Sequence, residues 1–159
     1  MNILGIEIGE LKFLPMDQFN LNWRFTDPEC NQLPISDLEK IQPLASVISE
    51  QFSKVLSKFG NHSILAESDD SFRTDLDIVD ANLVKKWLSE KVNGSDQNVF
   101  LHWYFGNYSV MTTWDIFIKY WDDFCYPSSD DVFIFPASAD WILFYCHEEI
   151  FEFKYIEFA

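Results

Sequence analysis

Sixteen Phe, six Trp and six Tyr in 159 residues must be taken out of water, and no other feature limits the folds open to this chain so strongly. The same chain carries 26 acidic residues against 11 basic ones, a formal charge of -15. Disordered acidic segments are poor in aromatics, so this pairing specifies a folded body with its acids on the outside. Like charges crowded on a compact domain repel one another, which gives the excess a use in attracting a cationic partner.

The length fits a single domain over residues 1-159, enough to bury roughly two-thirds of the unfolded surface around one core. Cys30, Cys125 and Cys146 are odd in number and widely spaced, with no C-x-x-C pair, which argues against a disulfide framework or a metal knuckle and fits reduced thiols. The opening MNILGIEIGELKF carries Glu7 and Glu10 within its apolar part and lacks a basic start, so it does not read as a signal peptide. Uncharged apolar runs fall well short of the roughly 20 residues of a membrane helix. Scattered basic residues, with Lys85-Lys86 the one adjacent pair, exclude a nucleic-acid partner, which needs clustered Lys and Arg. A cytoplasmic protein without membrane or nucleic-acid contacts is expected.

Along the chain, loose alternation from Ile3 to Phe13 and from Leu21 to Phe25 predicts two extended segments broken at Pro15. Ser36-Asp37-Leu38-Glu39 has the spacing of a capping box, predicting a short turn over 36-41. A main helix should run from Pro43, with Leu44, Val47, Ile48, Phe52, Val55, Leu56 and Phe59 on its apolar stripe and Gly60 as its C-terminal cap. Polar residues 61-76 read as a loop. A second helix capped by Asp77 or Asp80 bears Val79, Leu83, Trp87 and Leu88. Val99-Phe105 reads as a central strand ended by Gly106-Asn107, because both its faces are apolar. A third helix, capped by Thr112 or Thr113, carries Trp114, Phe117, Ile118 and Trp121. Segments 132-135, 141-146 and 150-156 form an antiparallel meander. The order specifies an α+β fold, an antiparallel sheet with about three helices packed mainly on one face.

No catalytic constellation emerges. His62 follows the first long helix, where a cation meets exposed carbonyls, and His102 lies inside an aromatic strand. His147-Glu148-Glu149 lacks the helical H-E-x-x-H spacing of a metal site. Cys146 directly precedes His147, and neighbours within a strand point to opposite faces, which is unsuited to proton transfer. Five Gly leave no phosphate cradle of the P-loop or dinucleotide-binding type. No catalytic residue, metal ligand set or cofactor is therefore expected. What remains is charge: from Asp115 onward ten acids (Asp115, Asp122, Asp123, Asp130, Asp131, Asp140, Glu148, Glu149, Glu152, Glu157) face Lys119 and Lys154, interleaved with Trp121, Phe124, Tyr126, Trp141 and Tyr145. A soluble shell over an aromatic core would look like this, and so would a binding face of aromatic anchors and steering carboxylates. A second acidic stretch, Glu67 to Asp80, either joins that face or lies elsewhere.

The strings Leu21-Asn22-Trp23-Arg24-Phe25, Leu33 to Leu44, and Thr112-Thr113-Trp114-Asp115-Ile116-Phe117 resemble a small proteobacterial domain family of unknown function. In general character the chain also resembles the immunity proteins of bacterial contact-dependent growth inhibition and related polymorphic toxin systems. That resemblance implies a cytosolic, non-enzymatic inhibitor that occludes a toxin domain, often a basic nuclease. On that reading Asp122, Asp123, Asp130, Asp131, Glu148 and Glu149 form the charged part of the partner-binding surface, with Trp121, Tyr126 and Trp141 as anchors. Neutralising those acids together should weaken binding and leave the fold stable. The competing reading is a hydrolase-type enzyme with a carboxylate-lined, metal-dependent pocket, which requires a concave site with carboxylates of raised pKa.

Overall fold

A computed structural model describes residues 2-59, 70-75, 77, 79-94 and 96-156. In chain order the elements are β1 (Asn2–Ile3), β2 (Ile6–Glu7), α1 (Trp23–Thr26), α2 (Ile35–Leu38), β3 (Gln42–Pro43), α3 (Ser46–Leu56), β4 (Ser71–Arg73) and α4 (Ala81–Ser89). Then come β5 (Asn98–Trp103), β6 (Tyr108–Thr113), α5 (Trp114–Lys119), α6 (Trp121–Phe124), β7 (Val132–Pro136), β8 (Trp141–Cys146) and β9 (Ile150–Tyr155). Single 3-10 turns occupy Met16–Gln18 and Ser57–Phe59.

Seven strands form one sheet in the order β3-β6-β5-β7-β8-β9-β4, and every pairing is antiparallel. The class is thus α+β, as the sequence predicts. The sheet is covered on both faces, which explains the aromatic content. In β5, β7 and β8, Val99, Leu101, Trp103, Val132, Ile134, Leu143 and Tyr145 point into one core, shared with α1, α4, α5 and α6. Alternate residues Phe100, Phe133, Phe135, Ile142 and Phe144 point into a second core under α3 and the β1-β2 hairpin. A period of two in a strand covered on both sides gives an unbroken apolar run. Most helices do lie on one face, with α3 opposite; the described residues hold six helices rather than three, because three are single turns.

The long helices stand close to where periodicity places them, with shifted ends. In α3, Ile48, Phe52 and Leu56 are buried, whereas Val47 is exposed. It starts at Ser46 rather than Pro43, because Pro43 pairs with Val110 at the sheet edge and the Ala45 amide is held by the Lys12 carbonyl. Asp80 caps α4, accepting from the Asn82 amide at 2.7 Å. There Val84 and Leu88 are buried while Leu83 faces solvent. The third predicted helix breaks at Tyr120 into α5 and α6, and Trp114, Phe117 and Trp121 remain buried across the break.

Four local expectations are corrected. Leu21–Phe25 is not extended: Trp23 to Thr26 is helical. The capping box does not form, because the turn begins at Ile35 with Pro34 before it, which leaves Ser36 inside the turn. Asp37 instead accepts from Lys119 Nζ at 2.9 Å and from the Tyr120 hydroxyl. The strand predicted to run to Phe105 stops at Trp103, and the turn through Gly106-Asn107 leads into β6, a strand absent from the sequence expectation. Within the predicted loop, Ser71–Arg73 adds an edge strand to β9. The expected cap at Gly60, the role of His62, and Glu67, Asp69 and Glu157 lie outside the described residues. No described helix is long and apolar enough to cross a membrane.

Candidate functional site

One end of the sheet collects most of the residues that the charge pattern singles out. Antiparallel pairing brings the C-terminal ends of β5, β8 and β4 beside the N-terminal ends of β6, β7 and β9. Three connections therefore cluster: the β5-β6 turn, the segment from α6 to β7, and the β8-β9 turn. They are tied together by backbone hydrogen bonds: the Tyr104 amide donates to the Asp131 carbonyl (3.0 Å), Ser128 to His147 (3.1 Å), and Thr74 to Glu149 (2.7 Å). The last contact brings Asp75, from the second acidic stretch, to the same end as Glu149. Arg73 lies there too, 3.4 Å from the Asp75 carboxylate.

Asp122 and Glu148 are exposed on this end, and Asp123, Asp131 and Glu149 are half-buried. Asp123 accepts from Asn31 Nδ2 at 2.7 Å. Its partial burial raises its pKa, opposed by that hydrogen bond. Asp131 accepts both the His147 amide (3.0 Å) and His147 Nδ1 (2.9 Å) on one oxygen. That hydrogen bond raises the His147 pKa. Cys146 lies beside them, its thiol pKa raised by burial.

Asp130 has a different position. It is fully buried, and its carboxylate holds the Arg24 guanidinium in a fork, Nη1 at 2.6 Å and Nη2 at 3.1 Å. The Tyr126 amide (2.8 Å) and Ser129 hydroxyl (3.1 Å) complete its shell. Arg24 also lies over the Tyr126 ring at 3.9 Å. Two charges out of water need this degree of satisfaction, so the pair locks α1 to the segment before β7. Asp130 is not available to a partner.

The expected aromatic anchors are likewise redistributed. Trp121 and Trp141 are core residues, 2% and 4% exposed, packed against Phe151 and Phe153 respectively. Only Tyr126 of the three reaches the surface, half-buried. The aromatics that are exposed at this end are Trp23, whose ring meets Tyr126 at 5.7 Å, and Tyr104 and Phe105 in the β5-β6 turn. Sequence reasoning missed them because Trp23 was placed in a strand and Tyr104 within β5. The signal was present in Gly106-Asn107, which marks the preceding residues as a turn.

A cavity of about 160 Å³ beside the same turn is lined by residues including Phe19, Asn20, Leu44, Ser46, Ser49 and Tyr108, without a carboxylate. The grooves along α3 are lined by Glu50, Lys54 and neighbouring residues. Asp122, Asp123, Asp131, Glu148 and Glu149 thus sit on α6 and the turns and line none of these hollows. Compared with known protein families, curated proteins and solved structures, the chain shows no significant match to any.

Proposed function

We propose that the protein is a non-enzymatic inhibitor, comparable to an immunity protein, that binds a basic toxin domain through the acidic end of its sheet. The observation that carries this reading is the gathering of Asp75, Asp131, Glu148 and Glu149 on adjoining turns, with Asp122 and Asp123 flanking on α6. The cationic groups that offset them among the described residues are Arg73 beside Asp75, His147 held against Asp131, and Arg24 and Lys85 near Asp123. Exposed Trp23, Tyr104 and Phe105 supply the large apolar contacts that binding energy needs, while the carboxylates steer a cationic partner and penalise others. An anionic surface of this kind suits a nuclease, whose substrate site is built to hold phosphates.

The carboxylate-lined enzyme reading finds less support, since the cavity beside the β5-β6 turn has no carboxylate and the grooves along α3 carry a single one, Glu50, beside Lys54. The test is to ask whether a toxin domain is encoded beside its gene and to co-express the chain with that domain. The wild-type chain should protect the cell, and Asp122→Asn, Glu148→Gln and Glu149→Gln together should reduce protection and flatten the salt dependence of the purified complex. Failure of the wild-type chain to protect or to bind would overturn the reading; protection that survives the triple variant would move the interface elsewhere.

A further inference from the structure

We propose that Asp131, Cys146 and His147 form a binding site for a zinc-class divalent transition-metal ion, with one coordination position open to solvent. One ligand atom from each residue lies within 4.8 Å of the other two. Zinc with ligands at 2.0–2.3 Å would set them about 3.3–3.8 Å apart in a tetrahedron, so side-chain rotation closes the site without moving the backbone. The backbone is already pinned: Asp131 through its carbonyl to Tyr104, His147 through its carbonyl to Ser128, and Cys146 through its carbonyl to Glu149.

The alternation argument that set Cys146 and His147 on opposite faces holds only within a strand. Cys146 is the last residue of β8, and His147 opens the turn, where Glu149 adopts a φ of 67°. The turn swings the imidazole back toward the Asp131 carboxylate, on the side where the thiol lies. An ionised carboxylate only accepts, so His147 Nδ1 carries the proton between them. A metal would replace that proton, which passes to Nε2 on a neutral ring or to solvent from a charged one, and would displace the Cys146 thiol proton to solvent as the metal-sulfur bond forms.

The donor set selects the ion. Thiolate with imidazole favours zinc, cobalt or copper, whereas calcium and magnesium take all-oxygen shells. Glu148 beside the site adds negative potential that concentrates cations. The half-exposed His147 leaves the fourth position accessible, the arrangement of a zinc ion that retains a water or accepts a partner's ligand. Nothing here depends on the inhibitor reading, since the protein alone is titrated.

The experiment is titration of the reduced, metal-free chain with Co²⁺ and then Zn²⁺, followed by absorbance. One equivalent of Co²⁺ should produce a thiolate-to-cobalt charge-transfer band that Zn²⁺ abolishes. Cys146→Ser should remove the band, and His147→Ala and Asp131→Asn should each weaken Zn²⁺ binding about tenfold or more. Cys30→Ser should leave it intact. His147 is exposed, so His147→Ala tests the site with the fold preserved, as circular dichroism will verify. Absence of a stoichiometric band in the wild-type chain, its persistence in Cys146→Ser, or unchanged zinc affinity in His147→Ala would overturn the proposal.

Discussion

Asp130→Asn should destabilise the protein severely, although it changes one acid among 26. The substitution keeps the shape of the side chain but removes the anion that holds Arg24. The guanidinium is then left 3% exposed and without an anion, with a neutral amide oxygen, a 3.4 Å contact from Nη1 to the Phe124 carbonyl, and the Tyr126, Trp23 and Trp103 rings as its remaining company. Removing one partner of a buried pair costs about 3–5 kcal/mol, because the surviving charge stays out of water. Against a total stability of about 5–15 kcal/mol this is a large share, and it should lower Tm by roughly 10 °C in a domain of this length. Urea unfolding at pH 7 gives the comparison. Asp122→Asn with Glu148→Gln, which remove exposed acids, should stay within about 0.5 kcal/mol of the wild type. Replacing both ends of the pair, as Arg24→Met with Asp130→Leu, should cost less than Asp130→Asn alone, since no charge is then stranded. An Asp130→Asn variant within about 1 kcal/mol of the wild type would refute the argument. Of the six acids expected to be neutralised together without loss of fold, Asp130 is therefore the one on which the fold depends.

His102 is fully buried, bonded through Nδ1 to Ser109 at 2.7 Å, and burial lowers its pKa to about 4. Above pH 6.5 the imidazole is neutral in both folded and unfolded chains; between 6.5 and about 4 only the unfolded chain takes up the proton, so stability falls as pH falls. Relative to His102→Asn, the wild type should lose about 1.4 kcal/mol per pH unit, roughly 3 kcal/mol across that window, and parallel profiles in urea would contradict it. Gly106 has a φ of 68°, and a Cβ there would meet the Tyr108 ring at 2.5 Å. Gly106→Ala should therefore cost about 1–2 kcal/mol for the backbone alone, with more from the ring's displacement, measurable as a shifted urea midpoint. Phe52→Ala, which opens the second core between α3 and Phe100 and Phe135, should cost about 3–5 kcal/mol in the same assay.

Local rules read from the chain reached the α+β class, the last three strands and the long helices, because period two and period 3.6 are written in neighbouring residues. The meander bounds at Trp141–Cys146 match the prediction, since each end carries its own turn. Strand β6 was not legible: Tyr108–Thr113 is mixed in polarity, and its pairing with β5 satisfies it from outside the segment. Edge strand β4 escaped for the same reason. Asp130, Asp131 and Asp140 look alike in the sequence; one is buried against Arg24, 106 residues away in the chain, one bonds His147, and one is exposed. Composition alone required a large aromatic interior under an anionic surface, because hydrophobic burial depends on how much apolar area the chain carries. Which carboxylates remain free, and which aromatics reach water, was decided by tertiary packing, because the desolvation of a charge or a ring depends on neighbours that are distant in sequence.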